Sequence, residues 1–417
     1  MKAQTRTHNL PSPSKLVGMT ELHAAPHDAD AIEKVSREFR EAFGSEPEGV
    51  FSAPGRVNII GEHVDYQQGL CVPMAISHRC FVAARRTDAG VVRMRSVQSS
   101  ETVEAPAEGL APGAVDGWAS YVAGVVWALA DRFDGGVASG VDLLIDGYVP
   151  LGAGLSSSAA LECAVAAAIE ELCKLGTTPH ERIRAAIKAE TEFAGAATGG
   201  LDQSASILCE EGHAILLDCR DFSTTSVPWD LAGQGLALLI IDTRAPHSLV
   251  GGEYAERRAQ AEAGARALGV ESLRDVPFEG ASDVCRGITD PVVQRRSRHI
   301  INEIERVREF AEILETGSIR EGLGRIAELL NASHDSLRDD YEVTVPELDV
   351  AVEAAREAGA HGARMTGGGF GGSVIALVEA ERVEAVAGAV ESAFAEHSFT
   401  EPVFFLATPS RGAGRDR

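Results

Sequence analysis

The sequence has no apolar run long enough to cross a bilayer as a helix. The two early positive charges of "MKAQTRTHNL" are followed by no apolar stretch, so a secretory signal is not read there. Positive charge is scarce throughout. Lys and Arg number 38 against 62 Asp and Glu, a formal net charge of -24. Such a chain repels phosphate-rich partners, so nucleic acid and anionic membrane surfaces are not expected to bind it. An anionic substrate would have to be met by a local device, either backbone N–H groups or a metal ion. The seven cysteines (71, 80, 163, 173, 209, 219 and 285) form no CxxC pair. Several lie in apolar stretches such as "LECAVAAA", which reads as reduced, buried thiols in a cytosolic protein. There, the sequon "NAS" at 331–333 has no glycosylation role. No internal repeat is found.

What the chain does have is a globular profile, 45% hydrophobic over 417 residues, enough for two domains. Helical and strand patterns interleave in both halves, which predicts an α+β fold with a boundary near residues 225–235. We expect a loose tail over 1–28, an N-terminal domain over 29–228, a C-terminal domain over 229–408 and a fraying tail over 409–417. "DADAIEKVSREFREAFG" places Ile32, Val35, Phe39 and Phe43 at helical spacing, with Asp28 or Asp30 as the cap.

Three stretches carry chemistry. "GRVNIIGEHVDYQQG" (55–69) sets Arg56, Asn58, Glu62, His63, Asp65 and Tyr66 around apolar Val57, Ile59 and Ile60. A solvated loop would not need the isoleucines, and a core strand would not tolerate the charges. "PLGAGLSSSAA" (150–160) runs two glycines and three serines into an Ala-rich helix. Gly152 and Gly154 permit close backbone approach, and the free N–H groups of the helix start make an anion site. It is not a Walker A loop, because no Gly-Lys-Ser/Thr follows, and it lacks the third glycine of a dinucleotide fingerprint. "TGGGFGGS" (366–373) crowds five glycines around Phe370, so something must approach that backbone closely.

Together, in this order, the three stretches resemble the GHMP kinase superfamily, and within it the galactokinases. "GGLDQSAS", "HSLVGGEYAERR" and "SHDSLRDDYEVTVPELD" extend the likeness over roughly residues 50–408. The resemblance implies the two-domain GHMP kinase fold: an N-terminal domain similar to a ribosomal-protein type and a ferredoxin-like C-terminal domain, with ATP and sugar meeting between them. It implies that Glu62, His63 and Asp65 read sugar hydroxyls, with Gly200 and Tyr254 adding contacts and Asp65 mattering most for stereochemistry. Gly152, Gly154, Leu155, Ser156, Ser157, Ser158 and Ala159 would form the ATP loop. Asp202 would be the catalytic base, with Arg56 beside it keeping it ionised. Mg²⁺ would rest on Ser158 and on Glu190 of "AETEF", Glu192 falling on another helix face. The implied reaction is phosphoryl transfer from ATP to the anomeric hydroxyl of galactose by a cytoplasmic monomer. The alternatives are a kinase of N-acetylgalactosamine or L-arabinose, or a sugar- and ATP-binding sensor without turnover. Val64, Gln67 and Ser373 stand where the family pattern has Thr, Asn and Cys, and Val64 removes one hydroxyl from the expected sugar cradle. "SLRDDYEV" is expected to help dock the two domains.

Overall fold

The computed structural model describes residues 21–132, 139–245, 252–315 and 318–417. Their strands form three sheets. The first has β1 (Gly49–Asn58), β3 (Pro73–Arg86), β4 (Val91–Ser96), β5 (Thr102–Pro106), β6 (Val141–Gly147) and β13 (Gly414–Arg415), in the order β13-β1-β3-β6-β4-β5. The second joins β2 (Leu70–Cys71), β7 (His213–Asp218) and β8 (Ser223–Pro228). The third orders β9 (Leu236–Asp242), β10 (Gly362–Thr366), β11 (Ser373–Glu379) and β12 (Val403–Ala407) as β10-β11-β9-β12, all antiparallel. The helices are α1 (Asp28–Phe43), α2 (Trp118–Arg132), α3 (Ser157–Cys173), α4 (Pro179–Lys188), α5 (Leu201–Leu208), α6 (Glu253–Leu268), α7 (Ala281–Arg286), α8 (Pro291–Glu315), α9 (Ile319–Ser336), α10 (Pro346–Glu357) and α11 (Val383–His397). None of the described helices is long and apolar enough to cross a membrane.

The period-2 alternation of a strand explains how the two halves share a core. In β9, Leu238 and Ile240 join the cluster built by Val57, Ile59 and the α2–α3 layer. Their neighbours Leu239 and Ile241 join the cluster of α8, α10 and α11. In β11, Ile375 and Leu377 divide from Val374 and Ala376 in the same way. A sheet buried on both faces needs an unbroken apolar run, and "LALLII" is one. On the other side, the alanines of α3 let it lie close to the sheet and to other helices at once; eleven of its residues are buried. Thr178 and Glu181 close a capping box on α4, with Pro179 as its first residue.

Three expectations about the chain's margins change. The cap of α1 is His27, without a side-chain bond, while Asp28 and Asp30 lie in the first turn, where carboxylates favour the positive helix end. Of the expected N-terminal tail, residues 1–20 lie outside the described residues, and Leu22 pairs with Phe404 of β12. Residues 409–417 do not fray. β13 pairs with β1, and the buried Arg79 donates to the carbonyls of Arg411 (2.7 Å) and Gly412 (2.9 Å). The Gly412 and Ala413 amides in turn donate to the carbonyls of Cys209 (2.7 Å) and Ser206 (2.8 Å), at the end of α5.

Candidate active site

The end of β1, the α3 and α5 starts and the loop between β10 and β11 enclose a cleft of about 390 Å³. β1 carries Arg56 into it. Its Nε and Nη2 donate to Asp202 Oδ1 at 2.9 and 2.8 Å, and its Nη1 donates to the Gly154 carbonyl at 2.7 Å. Asp202 sits in the first turn of α5, and its second oxygen accepts from Ser156 Oγ at 2.5 Å. One carboxylate thus touches both the arginine of the first motif and the serine loop of the second. Ser156, with φ 61°, caps α3 in the left-handed region, and no side chain caps the helix's first N–H groups. Free N–H groups at a helix start suit an anion. Gly152, Gly154, Leu155, Ser157 and Ser158 also line the cleft. Ala159 does not, and the Leu155 side chain is buried in the core, so neither offers more than backbone.

The third glycine motif approaches the second. A Cβ on Gly367 would lie 2.9 Å from the Gly154 carbonyl, one on Gly372 3.3 Å from that of Ala153, and Ser373 Oγ donates to Ala153 at 2.6 Å. The neighbour that crowds these glycines is the serine loop's own backbone. Ser373 also fills its position with a bonded hydroxyl.

Of the residues expected to read a sugar, Glu62, His63, Asp65 and Tyr254 all line the cleft. Glu62 Oε1 accepts from the Gly367 amide (2.7 Å) and the Thr366 hydroxyl (3.2 Å). His63 departs from expectation, because both its nitrogens have protein partners. The Gly368 carbonyl can only accept, so Nε2 carries the hydrogen (3.1 Å), and Nδ1 accepts from Tyr66 (2.9 Å). That uses the one Tyr66 proton, so Tyr341 donates to Tyr66 at 2.6 Å. Burial holds His63 neutral, its pKa pushed down to about 3. Tyr254 packs its ring on His63 and Tyr66, with centroids 5.5 and 5.7 Å apart. Burial, then Asp65 and Asp202, raise its phenol well above the usual value, so it remains a donor.

Asp65 is half-buried, and its carboxyl is pushed up to about 7, first by burial and then by the charges of Asp202 and Glu62. The folded pKa lies above the unfolded value of about 3.9, so the folded state binds the extra proton between them. Stability from this group is intact at acid pH and is lost as pH rises through about 7. Asp65→Asn is therefore expected to raise Tm by roughly 2–4 °C at pH 8 and by less at pH 5 in paired thermal melts.

The glycine assignment needs correction. Gly200, with φ 91°, caps α5, but a Cβ there would strike Ile187 and Phe222 at 2.7 Å, and Gly200 does not line the cleft. Gly199 lies against a cleft-lining side chain, because a Cβ on it would collide with the Asp65 carboxylate. The cradle also excludes Val64 and Gln67. Val64 is fully buried against Gly69, and Gln67 accepts from the Leu273 amide (3.0 Å) and, through its backbone, from Ser272 (3.1 Å). Neither departure from the family pattern reaches the cleft. Tyr121 and residues 195–198 do line it. Tyr121 lies within the largely apolar "WASYVAGVV", and its hydroxyl is the one hint of that in the sequence.

Ser158 hydrogen-bonds Glu190, whose carboxyl burial and Asp202 push up to about 7. Gln203 Nε2 bridges Glu190 (2.5 Å) and the fully buried Glu162 (3.1 Å), and Glu162 Oε1 has no hydrogen-bond partner. Three carboxylates here face one guanidinium, a charge deficit that suits a divalent cation. Among the described residues, no three His, Cys, Asp or Glu side chains converge as a metal cage. Two protein oxygens fit an ion that takes its other ligands from phosphate and water, as Mg²⁺ does.

Residues 37–86 match the family description "Galactokinase galactose-binding signature", 120–210 match "GHMP kinases N terminal domain" and 314–396 match "GHMP kinases C terminal". A galactokinase of Streptomyces coelicolor is 46% identical over 91% of this chain and 97% of its own. The human galactokinase is 40% identical over 93% and 97%. The crystal structure of Lactococcus lactis galactokinase complexed with galactose superposes with a TM-score of 0.87, at 32% identity, covering 93% of this chain and all of that one (100%). A mevalonate kinase at 14% identity and TM-score 0.60 shares the fold. The three motifs, the two-domain architecture and these relatives lead to one conclusion: the chain belongs to the galactokinase family of the GHMP kinases.

Proposed function

We propose that the protein transfers the γ-phosphoryl group of ATP to the anomeric hydroxyl of D-galactose, giving galactose 1-phosphate and ADP. What supports this is that Asp202, held by Arg56 on one oxygen and Ser156 on the other, lines one cleft with the serine loop, Glu62 and Asp65. Phosphoryl transfer depends mainly on positioning and charge neutralisation. The first N–H groups of α3 and the serine loop receive the triphosphate. Glu62, Asp65 and Tyr254 bind sugar hydroxyls, with Gly199 leaving room for the Asp65 carboxylate. His63 walls the site and orients Tyr66. Asp202 takes the anomeric hydroxyl proton, and Arg56 steadies charge developing between sugar and phosphate. Ser158 and Glu190 would hold Mg²⁺, which supplies neutralisation of the phosphate charge when bound.

The test is an ADP-release assay with galactose, N-acetylgalactosamine, L-arabinose and glucose, with the product read by phosphorus NMR. Galactose is expected to turn over with the highest kcat/KM and to yield a 1-phosphate. Preference for another aldose would point to a sister sugar kinase. Binding of sugar and ATP without turnover would identify a sensor and overturn the reading.

A further inference from the structure

The expected sugar segment does not hold its own shape. Within three residues it places Gly61 at φ 99° and His63 at φ 61°, and a histidine in the left-handed region stays there only when its surroundings impose it. The constraint comes from the other domain. Glu303, on α8, is fully buried, and its Oε1 accepts from two successive amides, Gly61 (3.0 Å) and Glu62 (3.4 Å). His299, one turn earlier, donates from Nε2 to the Glu62 carbonyl (3.1 Å). Arg364, on β10, donates to the carbonyls of Asn58 and Ile59, both at 3.0 Å. Backbone groups on both sides of the turn are thus bonded by side chains that sit outside the cleft.

Glu303 is itself fixed. The Ser333 hydroxyl donates to Oε1 (2.6 Å), and Arg306 donates to Oε2 (2.7 Å). A Cβ on Gly61 would lie 3.0 Å from Val307 on the same helix, so the turn packs directly on α8. A fully buried carboxylate is costly unless it is paired and bonded on every side. This one is aimed at the amides that aim Glu62 and His63.

We infer that Glu303, with His299 and Arg364, is a positioning residue for sugar recognition, fixing the cradle backbone from the C-terminal domain without touching the sugar. The inference rests on the proposed sugar-kinase reading, so its test separates the two. Wild-type turnover decides that reading, and the variants are then compared on whichever aldose the wild type uses. Glu303→Ala is expected to raise the sugar KM by about 10–100-fold while the ATP KM stays within about twofold of the parent. Glu303→Gln, which keeps an acceptor for the two amides, should restore most of the sugar affinity. Should Glu303→Ala not fold, His299→Phe and Glu303→Gln carry the comparison, with a smaller rise in sugar KM expected for each. Hydrogen exchange on the unliganded protein gives a readout independent of activity. Amides 58–63 should lose protection in the variants while those of β11 keep theirs. An unchanged sugar KM, an equal rise in both KM values, or unaltered exchange in 58–63 would each overturn the inference.

Discussion

Asp202→Asn is expected to lower kcat by about 10²–10⁴-fold, with the galactose KM within about threefold of the parent. Asparagine keeps the shape of the side chain, and its oxygen can still accept from Arg56. What it lacks is a lone pair to take the anomeric proton on the atom that now faces Ser156. Sugar affinity should survive, because the hydroxyls away from the reacting carbon are assigned to Glu62, Asp65 and Tyr254. The measurement is steady-state turnover at saturating ATP across a galactose series. Near-normal kcat would remove Asp202 from the base role. A matched rise in KM would recast it as a binding group.

Gly199→Ala should act on the sugar without adding or removing any polar atom. The new methyl occupies the space of the Asp65 carboxylate, so Asp65 must turn away from the cradle. The galactose KM is expected to rise by about 10–100-fold, the scale of one or two lost charged hydrogen bonds, and preference for galactose over glucose should weaken. Asp65→Ala should have the same effect. The double variant should be no worse than either single, because both remove one interaction. Additive losses would show that Gly199 acts through some other contact.

Much of this site was legible in the sequence because its parts are local. A helix start behind glycines and serines makes an anion site whatever surrounds it, and apolar runs such as "LALLII" demand burial on both faces. What stayed hidden depends on contacts distant in sequence. Which of two adjacent glycines faces Asp65 is decided by the left-handed cap that Gly200 supplies to α5. Val64 looked like a cradle position because it stands between His63 and Asp65, where the family pattern has Thr, yet its side chain enters the C-terminal core. The nitrogens of His63 are engaged by Tyr66 and by Gly368, the latter some 300 positions away, and no local pattern announces that pairing. Glu303 and His299 lie in "SRHIINEIER", which reads simply as an amphipathic helix.

The pairing of β13 with β1 has a bearing on how the protein comes into being. A ribosome delivers Gly414 roughly 10 to 40 s after Pro228, at ordinary elongation rates. Through that interval the nascent N-terminal half can bury its Ala-rich helix against β1 and β3. The end of α5 still waits for Gly412 and Ala413. The helix that presents Asp202 therefore gains this tether late, only after the C-terminal half has been made.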